Sequence, residues 1–220
     1  MTIKAILFDH DGTLVDSEKA HYEMWKEILA RYQVDLSLEE YNECYSGIPT
    51  SRNAKSIVRN HSLGLNFTEL ALAKARLTNR YLSKRAFPLM DGALDSIRFF
   101  HKKGVKIGIV TGAGKEGVKT TITEYGLSEY ISTVVSGDDV KNSKPAPDGY
   151  LLATQCLGIK ASDCLAIEDT HNGALSASSA NIRCVGVSSS KAVRNSFPNT
   201  SHVCNNLELA TRWISRNFFL

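Results

Sequence analysis

Short apolar runs that alternate with helical patterns constrain the fold of this chain more than any other feature of its sequence. These strand-like runs cover residues 105–112, 132–139, 164–170, 183–189 and 202–204. Two of the intervening helical patterns stop at Gly158 and Asn181, residue types that commonly follow the last turn of a helix. Strands that are apolar throughout and joined by helices form a parallel sheet covered on both faces. The sequence therefore predicts an α/β fold.

A further strand opens the chain, and charge follows it directly. The apolar run at residues 6–8 is followed by Asp9 and Asp11, with one histidine between them. The later strands also end in polar side chains, which are Thr111, Asp138 and the pair Glu168-Asp169. Parallel sheets bind ligands at the carboxyl ends of their strands. We therefore expect the acids near residues 9 and 169 to be neighbours.

Residues 16–86 carry no strand pattern and separate the first strand from the rest of the sheet. The i, i+3, i+4, i+7 spacing of an amphipathic helix is met by Trp25, Ile28, Leu29 and Tyr32. Further helical patterns cover residues 37–45, 50–60 and 67–84. We predict an all-helical domain at residues 16–86, inserted into a core domain formed by residues 1–15 and 87–220. An insert at the charged edge of a sheet is placed to act as a lid.

Composition and cysteine spacing argue against several classes of protein. The net charge of the 220 residues is +3 and the basic residues are scattered, which argues against a nucleic-acid partner. The five cysteines are odd in number and include no CxxC pair, which argues against a disulfide framework and a zinc site. No stretch approaches the roughly 18 apolar residues of a membrane span. We expect a cytoplasmic protein without a membrane partner, and a monomer, because every apolar face has an internal use.

Four motifs stand in a fixed order along the chain. They are Asp9-His10-Asp11-Gly12-Thr13, Thr111, Lys144-Pro145 and Glu168-Asp169. In this order they resemble the motifs of the haloacid dehalogenase superfamily, and the resemblance covers the helical insert as its cap domain. The branch that the chain resembles most contains β-phosphoglucomutases and phosphoglycolate-phosphatase-like enzymes. The resemblance implies a Rossmann-like core, a helical cap, Mg²⁺ as cofactor and a small phosphorylated substrate.

The residue types at these positions suit phosphoryl transfer. By the resemblance, Asp9 is the nucleophile that forms an aspartyl-phosphate. Asp11 lies two residues further along an extended chain, on the same side, from which it can protonate the leaving oxygen and later activate water. Thr111 offers a hydroxyl to a phosphate oxygen, and the backbone around Gly112 offers further donors. Lys144 would neutralise charge between the phosphate and the nucleophile.

The remaining acids suit a metal ion. Glu168 and Asp169 are hard oxygen ligands for Mg²⁺, joined by Asp9 and, in the family, by the backbone carbonyl at Asp11. Only one member of the Glu168-Asp169 pair need contact the metal directly, and Glu168 is the one for which binding through water stays open. For Asp138 and its neighbour Asp139 two roles stay open, which are organising the metal shell and capping a helix.

One position inside the first motif departs from the family pattern. His10 stands where the family more often has an aromatic or aliphatic residue. Alternation along the strand predicts that His10 faces away from the site. We therefore expect it to serve packing and not catalysis.

The helical domain contributes candidate substrate contacts. His21 stands where relatives often carry a histidine that, in mutases, helps to couple cap closure to catalysis, and a packed core histidine is the open alternative. The stretch YSGIPTSRNA at residues 45–54 resembles the cap loop that selects substrate, with Gly47 and Arg52 as candidate contacts. Arg80 is a further candidate, as is Arg76 one turn before it.

Three functions remain to be weighed. Dehalogenases lack an acid at the Asp11 position, so carbon–halogen cleavage is disfavoured and a phosphatase acting on a sugar phosphate is favoured. A phosphomutase is the alternative, although its cap lysine and Gly-x-x-Arg register are not cleanly present. A binding protein or a receiver-like protein is the third possibility. The position of Asp9 on the first strand and the long insert argue against a receiver.

Overall fold

The computed structural model describes residues 2–198, 200 and 202–219, and the chain divides into two compact units. One unit comprises Met1–Asp16 together with Pro88–Leu220, and the other is Ser17–Phe87. Each joint lies one residue later than the sequence-based bounds placed it. No helix in the described part of the chain has the length and apolar character needed to cross a bilayer.

The unit Ser17–Phe87 is helical throughout its regular structure. Its helices are α1 Glu18–Ala30, α2 Leu38–Cys44, α3 Thr50–Asn60 and α4 Phe67–Leu82. Trp25, Ile28 and Leu29 of α1 are buried, as the amphipathic spacing predicts, but Tyr32 of the same spacing lies beyond the end of α1 and is exposed. They pack with Ile57 of α3 and Leu70 of α4 in a core of this unit's own. This unit therefore buries apolar surface without a strand.

Six parallel strands form one sheet within the described residues of the other unit. They are β1 Ala5–Phe8, β2 Lys106–Val110, β3 Ile131–Val135, β4 Cys164–Glu168, β5 Arg183–Val187 and β6 His202–Cys204. Their order across the sheet is β3-β2-β1-β4-β5-β6, and each neighbouring pair is parallel. The predicted α/β fold with a parallel sheet is confirmed. Because β1 lies between β2 and β4, its end is central in the sheet edge.

Helices cover both faces of this sheet. They are α5 Ala93–Lys102, α6 Lys115–Glu124, α7 Asp148–Leu157, α8 His171–Ser179, α9 Lys191–Asn195 and α10 Leu207–Phe218. Successive side chains of β1 point to opposite faces, so Phe8 packs with Phe100 of α5 on one side. Leu7 packs with Tyr150 and Ala153 of α7 on the other side. Burial on both faces explains why the strand is apolar throughout.

The predicted strand 132–139 extends too far, because polar side chains end β3 at Val135. The backbone N–H and the hydroxyl of Ser136 donate to Asp139 Oδ2 at 2.9 and 2.7 Å, which starts a short 3-10 turn. Asp138 Oδ2 accepts from the backbone N–H of Lys115 at 2.9 Å, at the first turn of α6. Of the two open roles for these aspartates, the contacts correspond to capping.

Other predictions also differ from the structure near strand ends, since the predicted strands 105–112 and 183–189 each end two residues beyond β2 and β5. The predicted strand 164–170 stops at Glu168, because Thr170 leaves the sheet and caps α8 by accepting from Gly173 N at 3.1 Å. No helix is predicted between the last two strands. The structure has α9 there, capped by Ser190, whose hydroxyl oxygen accepts from Val193 N at 3.4 Å.

Candidate active site

The end of β1 brings Asp9 to the centre of the sheet edge. The backbone N–H of Asp9 donates to the carbonyl of Ile167 at 2.9 Å, which extends the pairing of β1 with β4 by one residue. Asp9 therefore lies beside the end of β4, where Glu168 is the last residue and Asp169 follows. Carboxylate oxygens of these three acids lie within 4.8 Å of one another. Acids from distant parts of the sequence thus form one cluster.

The chain turns after Asp11, and this turn makes room for Asp169. Gly12 has a φ of +83°, which glycine adopts readily, and its N–H donates to the carbonyl of Val15 at 2.8 Å. A Cβ built on Gly12 would overlap the carboxylate of Asp169. Thr13 Oγ1 donates to Asp169 Oδ1 at 3.3 Å. The Gly-Thr pair after the two aspartates therefore both accommodates and orients an acid from another strand.

Lys144 joins two of the acids through its ammonium group. Its Nζ donates to Asp9 Oδ1, to Glu168 Oε1 at 2.5 Å and to the carbonyl of Val110 at 2.8 Å. These three bonds use all three ammonium protons. The side chain of Lys144 is 13% exposed, so the pairs are shielded from water. The lysine is therefore held in one position between the two carboxylates.

Glu168 has a second buried donor that sequence reasoning missed. The hydroxyl of Tyr150 in α7 donates to Glu168 Oε1 at 2.7 Å. Glycine at 173 leaves the space that the Glu168 carboxylate fills, because a Cβ there would overlap it. A signal was present in the sequence, since Tyr150 lies on the buried face of a helix and a buried hydroxyl needs a partner. Which acid it would meet depends on the packing of α7.

Positive charge in this cluster does not balance the negative charge. Three carboxylates face one ammonium group, which leaves two negative charges uncompensated when all are ionised. Burial raises the pKa of Asp9 to about 7, although Lys144 opposes the shift and Glu168 adds to it. Burial and the charges of Asp9 and Glu168 also hold the pKa of Asp169 well above its usual range. Burial tends to lower the pKa of Lys144, but its two carboxylate partners outweigh that effect and raise it.

The cluster fits a hard divalent cation. Carboxylate oxygens are the ligands that Mg²⁺ prefers, and Asp9, Glu168 and Asp169 offer them within one small volume. Glu168 Oε2 is buried and has no hydrogen-bond partner among the described residues, as expected of an oxygen reserved for a ligand. A divalent cation would also compensate the two excess negative charges. The side chain of Asp11 lies outside this cluster, and by the resemblance its contribution would be a backbone carbonyl.

Thr111 follows β2 and contacts Asp11. Its side chain is buried, and Oγ1 lies 3.5 Å from Asp11 Oδ2 while accepting from the backbone N–H of Ala113 at 3.0 Å. Gly112 is exposed, and a Cβ there would lie 3.1 Å from Ser143 Oγ. The structure therefore brings Thr111 and Asp11 together. That they act in catalysis, and that Gly112 binds substrate, stay predictions.

His10 is packed as predicted but also has polar contacts that were not predicted. It is buried, with 1% of its surface exposed, as a packing residue would be. Its ring nevertheless reaches the neighbouring acid, with Nδ1 3.2 Å from Asp11 Oδ2. The other ring nitrogen, Nε2, lies 3.0 Å from Thr121 Oγ1. Strand alternation does not hold here because the chain already bends at His10, before the turn that follows Asp11.

Within the helical unit, His21 has a polar partner. Its Nδ1 lies 3.0 Å from the ammonium group of Lys74, and its ring packs edge-on against Phe87 at 5.2 Å between centroids. Lys74 is 1% exposed and also donates to Thr78 Oγ1 at 3.0 Å. Sequence reasoning did not single out Lys74 as a cap lysine. The signal was its position on the apolar face of α4, four residues after Leu70.

The segment between α2 and α3 is fixed by an acid from α1. Glu18 Oε2 accepts from the hydroxyls of Tyr41 at 2.7 Å and Ser46 at 3.0 Å. Glu18 Oε1 lies 3.3 Å from the donating backbone N–H of Gly47. Gly47 has a φ of +69°, which explains the glycine at this turn. Sequence reasoning assigned no role to Glu18.

A buried amide fixes the same segment from α3. The Nδ2 of Asn53 donates to the carbonyls of Tyr45 at 2.8 Å and Ile48 at 3.1 Å. We call residues 45–49 the anchored loop, because Glu18 and Asn53 both bind it. The side chains of Arg52 and Arg80 are exposed. Their predicted contacts with substrate, like those of His21 and Gly47, stay predictions.

Comparisons with known proteins agree with this site. The sequence model of the haloacid dehalogenase-like hydrolase family matches residues 6–187. The fructose-1-phosphate phosphatase of Escherichia coli (strain K12) is 30% identical over 183 residues, which are 83% of this chain and 95% of that protein. The range matched by the family model begins in β1 and ends in β5, so it includes every acid of the cluster.

Solved structures also resemble this one. CbbY from Rhodobacter sphaeroides in complex with phosphate has a TM-score of 0.77 and is 26% identical, covering 93% of this chain and 95% of that chain. A mutant of that CbbY was solved in complex with xylulose-(1,5)bisphosphate, with the same TM-score and 25% identity. β-Phosphoglucomutase from Clostridium difficile, at 21% identity and a TM-score of 0.79, shares the fold over 98% of this chain and 96% of that chain. With its parallel sheet, its acids at the sheet edge and this family match, the chain belongs to the haloacid dehalogenase-like hydrolases.

Proposed function

We propose that this protein is a Mg²⁺-dependent phosphatase that hydrolyses a small phosphorylated metabolite, a sugar phosphate, through an aspartyl-phosphate on Asp9. The observation that carries the proposal is the buried cluster of Asp9, Glu168 and Asp169 with Lys144 bonded to two of its members. A site with two excess negative charges repels a phosphoryl group unless a cation is bound. The same arrangement with a divalent cation attracts one.

In the first step Asp9 attacks phosphorus. A carboxylate oxygen of Asp9 forms the new bond, the bond from phosphorus to the leaving oxygen breaks, and Asp11 donates a proton to that oxygen. Lys144 holds the attacking carboxylate in place and compensates part of the charge on the transferring group. Thr111 donates its hydroxyl to a phosphoryl oxygen, as the resemblance implies.

In the second step water releases the phosphoryl group. Asp11, now a carboxylate, accepts a proton from water as the water oxygen attacks phosphorus. The bond between Asp9 and phosphorus breaks, and inorganic phosphate leaves with the carboxylate of Asp9 restored. One aspartate therefore carries the covalent bond while the other donates and then accepts the proton. The mechanism needs both acids because each has a different task.

Asp9, Glu168 and Asp169 would hold the metal ion. When bound, Mg²⁺ supplies charge stabilisation to the phosphoryl oxygens. The donor bonds from Lys144 and Tyr150 keep Glu168 oriented, and the space at Gly173 admits its carboxylate. These contacts involve buried groups, so the ligand set is arranged before any ion binds.

Named relatives support the substrate class. The Escherichia coli relative acts on fructose 1-phosphate by its name, and CbbY was solved with a sugar bisphosphate. We infer that a phosphorylated sugar or a molecule of similar size is the substrate here. Substrate contacts are proposed for Gly112 of the sheet unit and for His21, Gly47, Arg52 and Arg80 of the helical unit.

A phosphomutase is the second candidate, and a specific observation favours it. Lys74 is a buried lysine bonded to His21, whereas the sequence-based case against a mutase rested partly on the lack of a clear cap lysine. A mutase would use the same Asp9 and Asp11 but pass the phosphoryl group to a sugar hydroxyl instead of water. The two candidates therefore differ in the acceptor alone.

Phosphate release from a panel of sugar phosphates, with Mg²⁺ and with EDTA, tests the proposal. The reactions are followed by phosphorus NMR. We expect Mg²⁺-dependent release of phosphate from one or a few sugar phosphates. The Asp9→Asn variant should release none. Conversion of a sugar 1-phosphate to its 6-phosphate after priming with a bisphosphate, without net release, would identify a mutase. Binding of the phosphosugars with neither reaction would leave a binding protein. Release that survives Asp9→Asn would contradict the covalent mechanism.

A further inference from the structure

The ring of His10 is anchored on its far side by α6. Nε2 of His10 lies 3.0 Å from the hydroxyl oxygen of Thr121, whose side chain is fully buried. That hydroxyl donates its single proton to the carbonyl of Gly117 at 3.0 Å. With its proton on that carbonyl, the hydroxyl accepts from the histidine, which assigns a ring proton to Nε2. Thr121 thus fixes the plane of the ring.

The near side of the ring meets Asp11. Nδ1 lies 3.2 Å from Asp11 Oδ2, and a proton on Nδ1 makes this contact a hydrogen bond while the other oxygen of Asp11 carries the proton that it transfers to the leaving oxygen. Neighbouring side chains of a strand point to opposite faces, but the backbone has already turned here. The N–H groups of Leu14 and Val15 both donate to the carbonyl of His10, at 2.9 and 3.0 Å. The turn brings the two side chains to the same side.

Oδ2 of Asp11 is therefore in contact with two buried side chains. His10 Nδ1 lies 3.2 Å from this oxygen, and Thr111 Oγ1 lies 3.5 Å from it. The side chain of Asp11 itself is 29% exposed, so it lies near solvent while the side chains that contact it are buried. A carboxyl held by buried partners keeps one orientation, and part of the surface of this one is exposed.

We propose that His10 is a positioning residue for Asp11, holding its carboxyl in the orientation from which it protonates the leaving oxygen. This inference rests on the proposed function, since Asp11 must act as the general acid for it to hold. Proton transfer needs the acid within hydrogen-bond reach of the leaving oxygen. A displacement of about 1 Å can lower the rate about a hundredfold. Each link in the chain from Thr121 through His10 to Asp11 is therefore open to test.

The leaving group is the first test of this positioning role. In His10→Leu we expect kcat/KM for a sugar phosphate to fall about ten- to a hundredfold, because an alkoxide leaves only when protonated. For p-nitrophenyl phosphate, whose leaving group departs without a proton, we expect kcat/KM within about twofold of the wild type. Since kcat/KM reports the steps up to formation of the phosphoryl-enzyme, the later use of Asp11 as a base does not enter. A parallel fall for both substrates would overturn the proposal.

Thr121 supplies a matched pair of variants remote from the reacting atoms. Thr121→Val keeps the shape of the side chain but removes the oxygen that anchors the ring, and we expect the same leaving-group dependence with a smaller amplitude. Thr121→Ser keeps the hydroxyl and should behave as the wild type. Circular dichroism and thermal melting establish that each variant is folded. If a folded Thr121→Val variant showed the same leaving-group dependence as the wild type, Thr121 would not anchor the ring of His10 as proposed.

A double-mutant cycle separates positioning from a purely structural role. In an Asp11→Ala background the acid is already absent, so adding His10→Leu should leave kcat/KM for the sugar phosphate unchanged. An equal fall in both backgrounds would show that His10 acts independently of Asp11 and would overturn the inference. If instead the wild type released no phosphate, or Asp9→Asn stayed active, the proposed function itself would fail. The two failures are thus told apart by different variants.

Discussion

The acid cluster at the sheet edge and the anchored loop of the helical unit are built in opposite ways. In the cluster, the side chains proposed to do chemistry are themselves buried and bonded, as Asp9, Lys144 and Glu168 are to one another. At the loop, Glu18 and Asn53 fix the backbone, while Arg52, a proposed contact in the first turn of the adjoining α3, is exposed. The first arrangement fixes the side-chain atoms that are proposed to react. The second fixes the backbone next to a proposed substrate contact, but not the side chain that makes the contact.

This difference separates two kinds of change. A substitution in the cluster disturbs atoms that are proposed to form and break bonds, so it should act on kcat and on the metal requirement. A substitution under the anchored loop should act on substrate affinity and leave the metal requirement alone. Variants from the two regions, assayed side by side, therefore test whether the cluster and the loop differ in this way.

The largest effect is expected from Lys144→Ala. Removing the ammonium leaves Asp9 and Glu168 buried without their shared partner, and breaking a buried pair costs about 3 to 5 kcal/mol. We expect kcat/KM to fall at least about a thousandfold. The free energy of unfolding, measured with urea in EDTA, should fall by about 3 kcal/mol and recover in part with Mg²⁺.

Lys4→Ala is the control for that variant. Lys4 pairs with Asp163 at 2.8 Å but is 61% exposed, so its loss should change neither activity nor the unfolding transition beyond about 0.5 kcal/mol. Equal losses of activity and of unfolding free energy in the two variants would mean that burial of the cluster does not matter. That result would contradict the difference drawn between the two regions.

Tyr150→Phe should have an intermediate effect and act on metal binding. The variant removes the 2.7 Å bond to Glu168 Oε1 and nothing else from the side chain. Groups that orient metal ligands are typically worth about ten- to a hundredfold in metal affinity, so the Mg²⁺ concentration for half-maximal activity should rise about tenfold. A Mg²⁺ titration of the initial rate measures it.

The matched control lies in the helical unit. Tyr22→Phe removes a buried hydroxyl that donates to the carbonyl of Leu36 at 3.2 Å, at a similar cost to stability of about 1 kcal/mol. Its Mg²⁺ titration should overlay that of the wild type. If both tyrosines shifted the titration alike, general loss of stability would explain the result better than orientation of Glu168.

Glu18→Ala tests the anchored loop. The variant removes the acceptor of Tyr41, Ser46 and Gly47, so the loop loses its fixed position. We expect KM for the sugar phosphate to rise about three- to tenfold with kcat and the Mg²⁺ titration little changed. Glu23→Ala, an exposed position on the same helix, is the control. A fall in kcat with KM unchanged would contradict a role in substrate affinity.

The smallest effect is expected from Asp139→Asn, through stability and not through activity. The hydrogen bond from Lys115, followed by those from the backbone and hydroxyl of Ser136, lowers the pKa of Asp139 from 3.8 to about 2. A carboxyl with a depressed pKa stabilises the fold above its unfolded value and loses that contribution as pH falls toward the folded one. Because Asp139 and Lys115 are exposed, solvent screens their ion pair, so at pH 7 the variant should lose no more than about 1 kcal/mol, and the difference should shrink below about pH 4. Urea unfolding across this pH range, from neutral to acid, measures it.

How much of the site could be predicted from the sequence depends on which elements contribute its residues. The acid cluster follows from topology, because strands that read as parallel must bring their carboxyl ends to one edge, and Asp9 and Asp169 are adjacent to such ends. Partners contributed by helices do not follow from it. Tyr150 meets Glu168, and Thr121 meets His10, only because α7 and α6 pack on the sheet in one particular register.

Strand ends show a second limit of the sequence pattern. The run at residues 132–139 has polar residues on both sides of Val134 and Val135, and hydrophobicity alone does not separate the strand from the turn after it. The capping bonds of Ser136 with Asp139 do separate them, and these depend on side-chain geometry. His10 is a third case, since alternation predicts a side chain facing away only while the backbone stays extended.

The central claim is that Asp9 becomes phosphorylated during turnover, and acid-quench peptide mapping tests it most directly. The Asp11→Asn variant, which should form the intermediate from p-nitrophenyl phosphate but hydrolyse it slowly, is mixed with that substrate and Mg²⁺, quenched in acid and digested. We expect a phosphoryl group on the peptide containing Asp9, and borohydride reduction of that acyl phosphate to homoserine at residue 9. Nitrophenol release with no modification at Asp9, or with the modification on another residue, would contradict the claim.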